Sequence, residues 1–237
     1  MDHLASSFDD AWARFQASDS LQLAGDTSWW DWTRGRAQFL TFLVRPAGDD
    51  ARAHLARIVE RLAGIPGVEP YPDWYWHITV KGAGFQVIKH SREDDVLRQD
   101  VPRIAGKARA LFAREAAFEA QLGLANAFAS VVFVEVWDGG RMRELNARLL
   151  AEVPEIARYP IDGDGYVPHI SIARFTSSEG LAELKSTLEA LRAEGPGPGF
   201  SVRRIEFVKV WLSEEPPEFD ELAAYPLLKP GSAKSAR

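Results

Sequence analysis

Short apolar runs alternate along this chain with charged stretches whose hydrophobic positions recur every three to four residues, a pattern that predicts strands interleaved with helices. The run Phe39, Leu40, Phe42, Leu43, Val44 in "RAQFLTFLVRP" is short, closed by Pro46, and reads as a buried strand. Asp49 and Asp50 then stand where a helix needs its cap, and Leu55, Ile58, Val59 and Leu62 share one helical face until Gly64 closes it. A second strand follows in "YWHITVKG" (75–82). Residues 94 to 120 read as a charged helical segment that Pro102 interrupts or restarts. "FEAQLGLANAFASVVFVEVWDGG" holds an amphipathic strand and then residues 131 to 137, apolar enough for the middle of a sheet. Residues 141 to 153 read as a helix, 167 to 175 as a strand, and 178 to 193 as a helix with a serine cap. "EGPGPG" breaks the chain before a last long strand, "FSVRRIEFVKVWLS"; its glycines lack the spacing and the following Lys-Ser/Thr of a phosphate loop.

The order strand, helix, strand, helix, strand thus occurs about twice. That predicts an α+β fold of two pseudo-symmetric lobes, each an antiparallel sheet with flanking helices, around a central groove. Residues 1–35 stand outside the repeat as an N-terminal extension packed on the core, its Trp29, Trp30 and Trp32 expected to cap and pack the lobes, with stacking of a base at the groove mouth as the alternative; 36–228 form one bilobal domain, and 229–237 a flexible tail.

Composition narrows the setting. Hydrophobic residues make up 46% of the 237, with eight tryptophans and thirteen phenylalanines, enough for a substantial core. The absence of cysteine excludes disulfides and thiolate metal sites. No apolar run approaches the roughly 18 residues that a membrane span needs, and the acidic start "MDHLASSFDDAWARF" does not read as a secretory signal. A cytoplasmic monomer is expected. A net charge of −6 argues against a broad electropositive surface for long nucleic acids, so a nucleic-acid ligand should be short or gripped locally.

The candidate chemistry lies in two stretches, "YWHITVKG" and "VPHISIAR" (167–174), each with a histidine two residues before a small hydroxyl. In a strand, residues i and i+2 share a face. His77 and Thr79 therefore look one way and Ile78 and Val80 the other, and His169 and Ser171 repeat this against Ile170 and Ile172. If the two polar faces line one groove, one imidazole can take a proton while the other gives one, and the hydroxyls can hold phosphate oxygens; phosphodiester cleavage without a metal requires this set. The same counting puts Lys81 on the face of His77 and aims Arg174 away from the groove unless a bulge intervenes. Tyr166 and Trp76 flank the motifs and could stack a base. His54, His90 and His3 have no partner pattern. A metal hydrolase would have to draw Asp73, Asp162 or Asp164 to the histidines, with neither His-x-His nor HExxH spacing to start from, and a serine hydrolase would lack a nucleophile elbow.

The duplicated histidine, apolar, Ser/Thr, apolar signature resembles that of the two-histidine phosphoesterase superfamily, and within it the bacterial 2′-5′ RNA ligase and cyclic nucleotide phosphodiesterase branch, over about residues 36 to 213. The resemblance implies a bilobal α+β fold, no metal or other cofactor, and hydrolysis of 2′,3′-cyclic phosphates or other 2′-linked phosphodiesters on RNA ends or small nucleotides, with reversible 2′-5′ ligation as a companion reaction. It assigns His77 and His169 to the catalytic pair, Thr79 and Ser171 to the phosphate, and Arg174 to a position near it. The alternative is a nucleotide- or RNA-binding module of the same fold with little turnover. "HITVKGAGF" lacks the apolar-Leu-Gly sequence frequent after the first motif of the ligase-like branch, and the tryptophan-rich extension is another departure; both bear on the substrate.

Overall fold

The computed structural model of the protein describes residues 7–26 and 31–229; His3, Trp29, Trp30 and the tail beyond Lys229 lie outside them. Its helices are α1 (Phe8–Ala17), α2 (Asp49–Leu62), α3 (Val101–Phe112), α4 (Arg141–Glu152) and α5 (Leu181–Ala193). The strands are β1 (Gln38–Val44), β2 (Val68–Pro70), β3 (Ile78–Val87), β4 (Asp95–Leu97), β5 (Phe118–Ala127), β6 (Val131–Trp137), β7 (His169–Phe175), β8 (Gly199–Val202), β9 (Arg204–Trp211) and β10 (Glu218–Pro226).

All ten strands belong to one sheet, in the order β10-β9-β1-β3-β7-β6-β5-β8, with β2 paired to β7 and β4 to β3. Two four-stranded antiparallel halves thus abut at β3 and β7, where a single ladder pair, Ile78 opposite Ile170, joins them. The expected two sheets are the halves of one sheet. One face is covered by helices: Leu55, Ile58 and Leu62 of α2, Leu111 of α3, Leu145 and Leu149 of α4 and Leu188 of α5 share a core with Ile78, Val80, Ile170 and Ile172. The other face carries Leu43, Val208 and Val210 in the first half and Phe133 in the second. α1 lies against this second patch, with Phe8 and Ala11 packed on Phe133 and Asn126 Nδ2 donating to the Phe8 carbonyl at 3.0 Å. Trp32 packs edge-on to Phe39 and Phe85 of the first half.

Several expectations change. The charged segment from 94 is helical only over α3, because Pro102 occupies the first helical turn. Before it, Asp95 accepts from Arg36 and from the amides of Ser91 and Arg92, which holds residues 95–97 as a short strand beside β3. Burial pushes the Asp95 carboxyl upward, but these bonds outweigh it and hold it at about 2. The expected serine cap on α5 is absent: Gly180 caps it, and Ser178 Oγ accepts instead from the Leu21 amide. The last long strand is two strands. β8 pairs with β5, β9 pairs with β1, and the chain crosses between halves at Arg203. β10 follows as an exposed acidic edge strand, absent from the expected elements.

Candidate active site

Because Ile78 and Ile170 are fully buried in the helix-side core, strand alternation turns His77, Thr79, His169 and Ser171 to the opposite face. The motifs from the two halves are neighbours there. Their local geometry is the same twice over. His77 Nδ1 lies 2.6 Å from the Tyr75 carbonyl and His169 Nδ1 lies 2.8 Å from the Val167 carbonyl, in each case the residue two positions earlier. A carbonyl oxygen can only accept, so both Nδ1 atoms carry hydrogen and both Nε2 atoms of the neutral rings present a lone pair. Each imidazole is also wedged between two aromatic rings: His77 by Tyr75 and Phe219, His169 by Phe128 and Phe133, all at 5.0–5.2 Å.

Burial dominates their titration. It lowers the His169 pKa, although the Val167 carbonyl favours the charged form. It takes His77 to about 4, with the charges of Arg45 and His169 pushing the same way against the Tyr75 carbonyl. Thr79 and Ser171 are partly exposed, and neither hydroxyl is committed to another group among the described residues.

Both motif strands then bulge, one residue after the hydroxyl. On β3, Thr79 pairs with Leu43 but Lys81 pairs with Phe42; on β7, Ser171 pairs with Phe133 but Ala173 pairs with Val132. Each extra residue reverses the facing of the residues after it. Lys81 accordingly leaves the histidine face. Its ladder partner Phe42 stacks on Phe207 in the helix-side core, and its fully buried ammonium meets Asp162 at 3.0 Å, the Gly82 carbonyl and the Tyr159 ring. The alternation that put Lys81 beside His77 is therefore overturned. Arg174 is turned toward that face, paired with Glu69 at 2.9 Å and with Glu215 from the β9–β10 hairpin, and its charge reaches the stacked Tyr71 and Tyr75 beside His77. Gly82 stands at the place in the first half that Arg174 occupies in the second.

The two aromatic candidates do not offer faces to a ligand. Tyr166 is 6% exposed and its hydroxyl donates to the Thr79 carbonyl at 2.8 Å, bracing the first motif from the second. Tyr166→Phe should therefore cost about 1 kcal/mol of stability, read by chemical denaturation, and leave ligand affinity nearly unchanged. Trp76 is 4% exposed and packed in the core. Residues that sequence reasoning did not single out do reach the site. Phe219 comes from β10, Arg45 lies over its ring, and Glu135, opposite His169 on β6, is buried and accepts from Asn126, Trp137 and Arg192. The sheet must curl for an edge strand to touch His77, which period-two counting cannot convey. Two cavities of about 500 and 460 Å³ open beside the His77 strand, not between the imidazoles; Trp76 and Asp73 line both. Asp162 is held by Lys81 and Asn146, and among the described residues no three His, Asp or Glu side chains gather as metal ligands. No helix among the described residues is long and apolar enough to cross a membrane.

Residues 47–210 match the family model of the 2′-5′ RNA ligase superfamily, which is well over half of the chain and includes both motifs. The chain belongs to the 2′-5′ RNA ligase superfamily. No curated protein sequence matches it. Solved structures share the fold of this superfamily member at low identity. E. coli LigT complexed with 3′-AMP is 16% identical over 81% of this chain and 98% of its own, with a TM-score of 0.60. TT0787 of Thermus thermophilus is 19% identical over 81% and 99%, at 0.57. The conserved protein ATU0111 of Agrobacterium tumefaciens is 18% identical over 79% and 85%, also at 0.57. The superfamily's phosphoesterase and 2′-5′ ligase-like chemistry is thereby assigned to this chain at the level of the family.

Proposed function

We propose that the protein is a metal-independent phosphodiesterase that opens 2′,3′-cyclic phosphates of nucleotides or RNA ends to 2′-phosphomonoesters, with His77 and His169 as its acid–base pair. The observation that carries this reading is the twinned presentation of the two Nε2 atoms, each fixed by its own carbonyl, on one face of the sheet with two uncommitted hydroxyls. One Nε2 takes the proton of an attacking water as its oxygen bonds to phosphorus. The bond from phosphorus to the ribose O3′ breaks, and the other imidazole, protonated, delivers its proton to that oxygen. Thr79 and Ser171 donate to the non-bridging oxygens, where charge collects as phosphorus becomes five-coordinate. With a 5′-hydroxyl in place of water, the same attack and the same break at O3′ form a 2′-5′ linkage, and the reversal of that step expels the 5′-hydroxyl.

The nucleotide part of the reading draws on the relatives, since LigT structures are described in complex with 3′-AMP, ATP and phosphate. Incubation with 2′,3′-cyclic mononucleotides and cyclic-phosphate-ended oligonucleotides in EDTA, followed by phosphorus NMR, tests it. A 2′-phosphomonoester formed at a chelator-independent rate is expected; binding without turnover would leave only the binding-module reading standing. Thr79→Ala and Ser171→Ala should each lower kcat by about 10- to 100-fold, the worth of one hydrogen bond to a charged group, measured by steady-state kinetics.

A further inference from the structure

The larger cavity, about 500 Å³ and lined by Arg45, Arg52, Asp73, Trp74, Trp76, Glu218 and Phe219, has no task in the chemistry above. It borders the histidine site through two of its walls. The Phe219 ring that lines one side lies 5.0 Å from the His77 ring, and Arg45, whose charge acts on His77, lies over the same phenylalanine ring at 5.2 Å. The volume suits a small ligand. Its walls select the kind. Trp74 is 44% exposed, an unusual setting for an indole, and is held in place by Tyr75 edge-on at 6.0 Å and by Arg45, which donates to its carbonyl at 2.6 Å. The indole N–H of Trp76, at 4% exposure, is buried without an acceptor. Glu218 is exposed and carries no ion pair among the described residues, whereas Asp73 is engaged by Arg52.

We propose that this cavity is the subsite for the nucleobase of a nucleotide whose phosphate lies between His77 and His169, with the Trp74 indole as stacking platform and the Glu218 carboxylate as acceptor for an exocyclic amino group. A flat aromatic wall bordered by guanidinium groups favours a π-faced, electron-rich heterocycle. The cavity begins one ring away from the His77 imidazole, beside the place that the proposed mechanism gives to the phosphate. The free carboxylate makes the subsite selective at the exocyclic position: adenine N6 and cytosine N4 are amino donors, whereas uracil places there its O4 carbonyl, an acceptor that the carboxylate repels. The proposal rests on the nucleotide reading above and names the part of the substrate that this chain recognises.

The test compares adenosine and uridine 2′,3′-cyclic phosphates with 1-O-methylribose 2,3-cyclic phosphate, which has no base. Trp74→Ala is expected to raise KM for the adenosine substrate by about 5- to 100-fold, the range of one lost stacking contact, while kcat stays within about threefold and the base-free substrate is handled as before. Trp74→Phe should restore most of the loss. Glu218→Ala should lower the preference for adenosine over uridine to near unity. Equal effects of Trp74→Ala on nucleotide and base-free substrates, or no effect on either, overturn the subsite. If the wild-type protein turns over none of these compounds, the catalytic reading fails and calorimetry with adenosine 2′-monophosphate decides the subsite separately: binding that Trp74→Ala weakens supports it, and absent or unaltered binding overturns it.

Discussion

Replacing His77 or His169 by alanine should each lower kcat on a 2′,3′-cyclic nucleotide by about 10²- to 10⁴-fold, the span of one general acid or base. The reason lies in how each ring is held. With Nδ1 committed to a carbonyl, only Nε2 can exchange a proton with substrate. The double variant should lose little beyond the worse single variant, because a reaction that needs both transfers gains nothing from one alone. Neither ring is part of the helix-side core, so both variants should remain folded, which circular dichroism and thermal melts verify. Activity within tenfold of wild type in either folded variant would remove the two-histidine mechanism.

The second large effect concerns pH. The reaction uses a form with one imidazole protonated and the other neutral. Burial lowers both pKa values from the usual 6.5 or so, His77 to about 4, so in the free protein that form is most populated below pH 6.5 and declines about tenfold per pH unit above it. The ratio kcat/KM should therefore form a bell on the acidic side of 6.5 and fall about 100-fold between pH 6.5 and 8.5. An anionic phosphate placed between the rings favours their charged forms, so the kcat profile should sit at higher pH than that of kcat/KM. A kcat/KM profile flat across pH 6.5–8.5 would contradict the desolvated, aromatic-flanked setting of this half-buried pair. The same shifts govern stability. A depressed histidine pKa means that the unfolded chain binds more protons below 6.5, so the His77 contribution is fully present above that pH and is lost as pH falls from 6.5 toward 4.

The candidate pair was legible because a period of two governs both motifs up to the hydroxyl: one residue in, one out, with isoleucines marking the core side. It failed one residue later. Alternation put Lys81 in the groove and Arg174 outside it, and the bulges after Thr79 and Ser171 exchange them. Nothing in the local composition marks an inserted residue in a ladder, since Val80 and Ile172 are as apolar as their neighbours. The run 200–213 failed differently. It is uniformly strand-like, and only the pairing partners, β5 for one part and β1 for the other, reveal the break at Arg203. β10 was hidden by its acidic, exposed character, although it delivers Phe219 to His77. Trp74 was indistinguishable by type from Trp76 two residues on, and what separates them is exposure, a property of the tertiary fold.

The crossing at Arg203 means that, the short β2 beside β7 apart, the chain leaves the first half of the sheet after β4, builds the four principal strands of the second, and returns to finish the first. The second half is nested inside the first like a parenthesis. No single cut can release either as a continuous fragment, and the two imidazoles, though drawn from look-alike units, share the fate of one polypeptide loop closed at both ends.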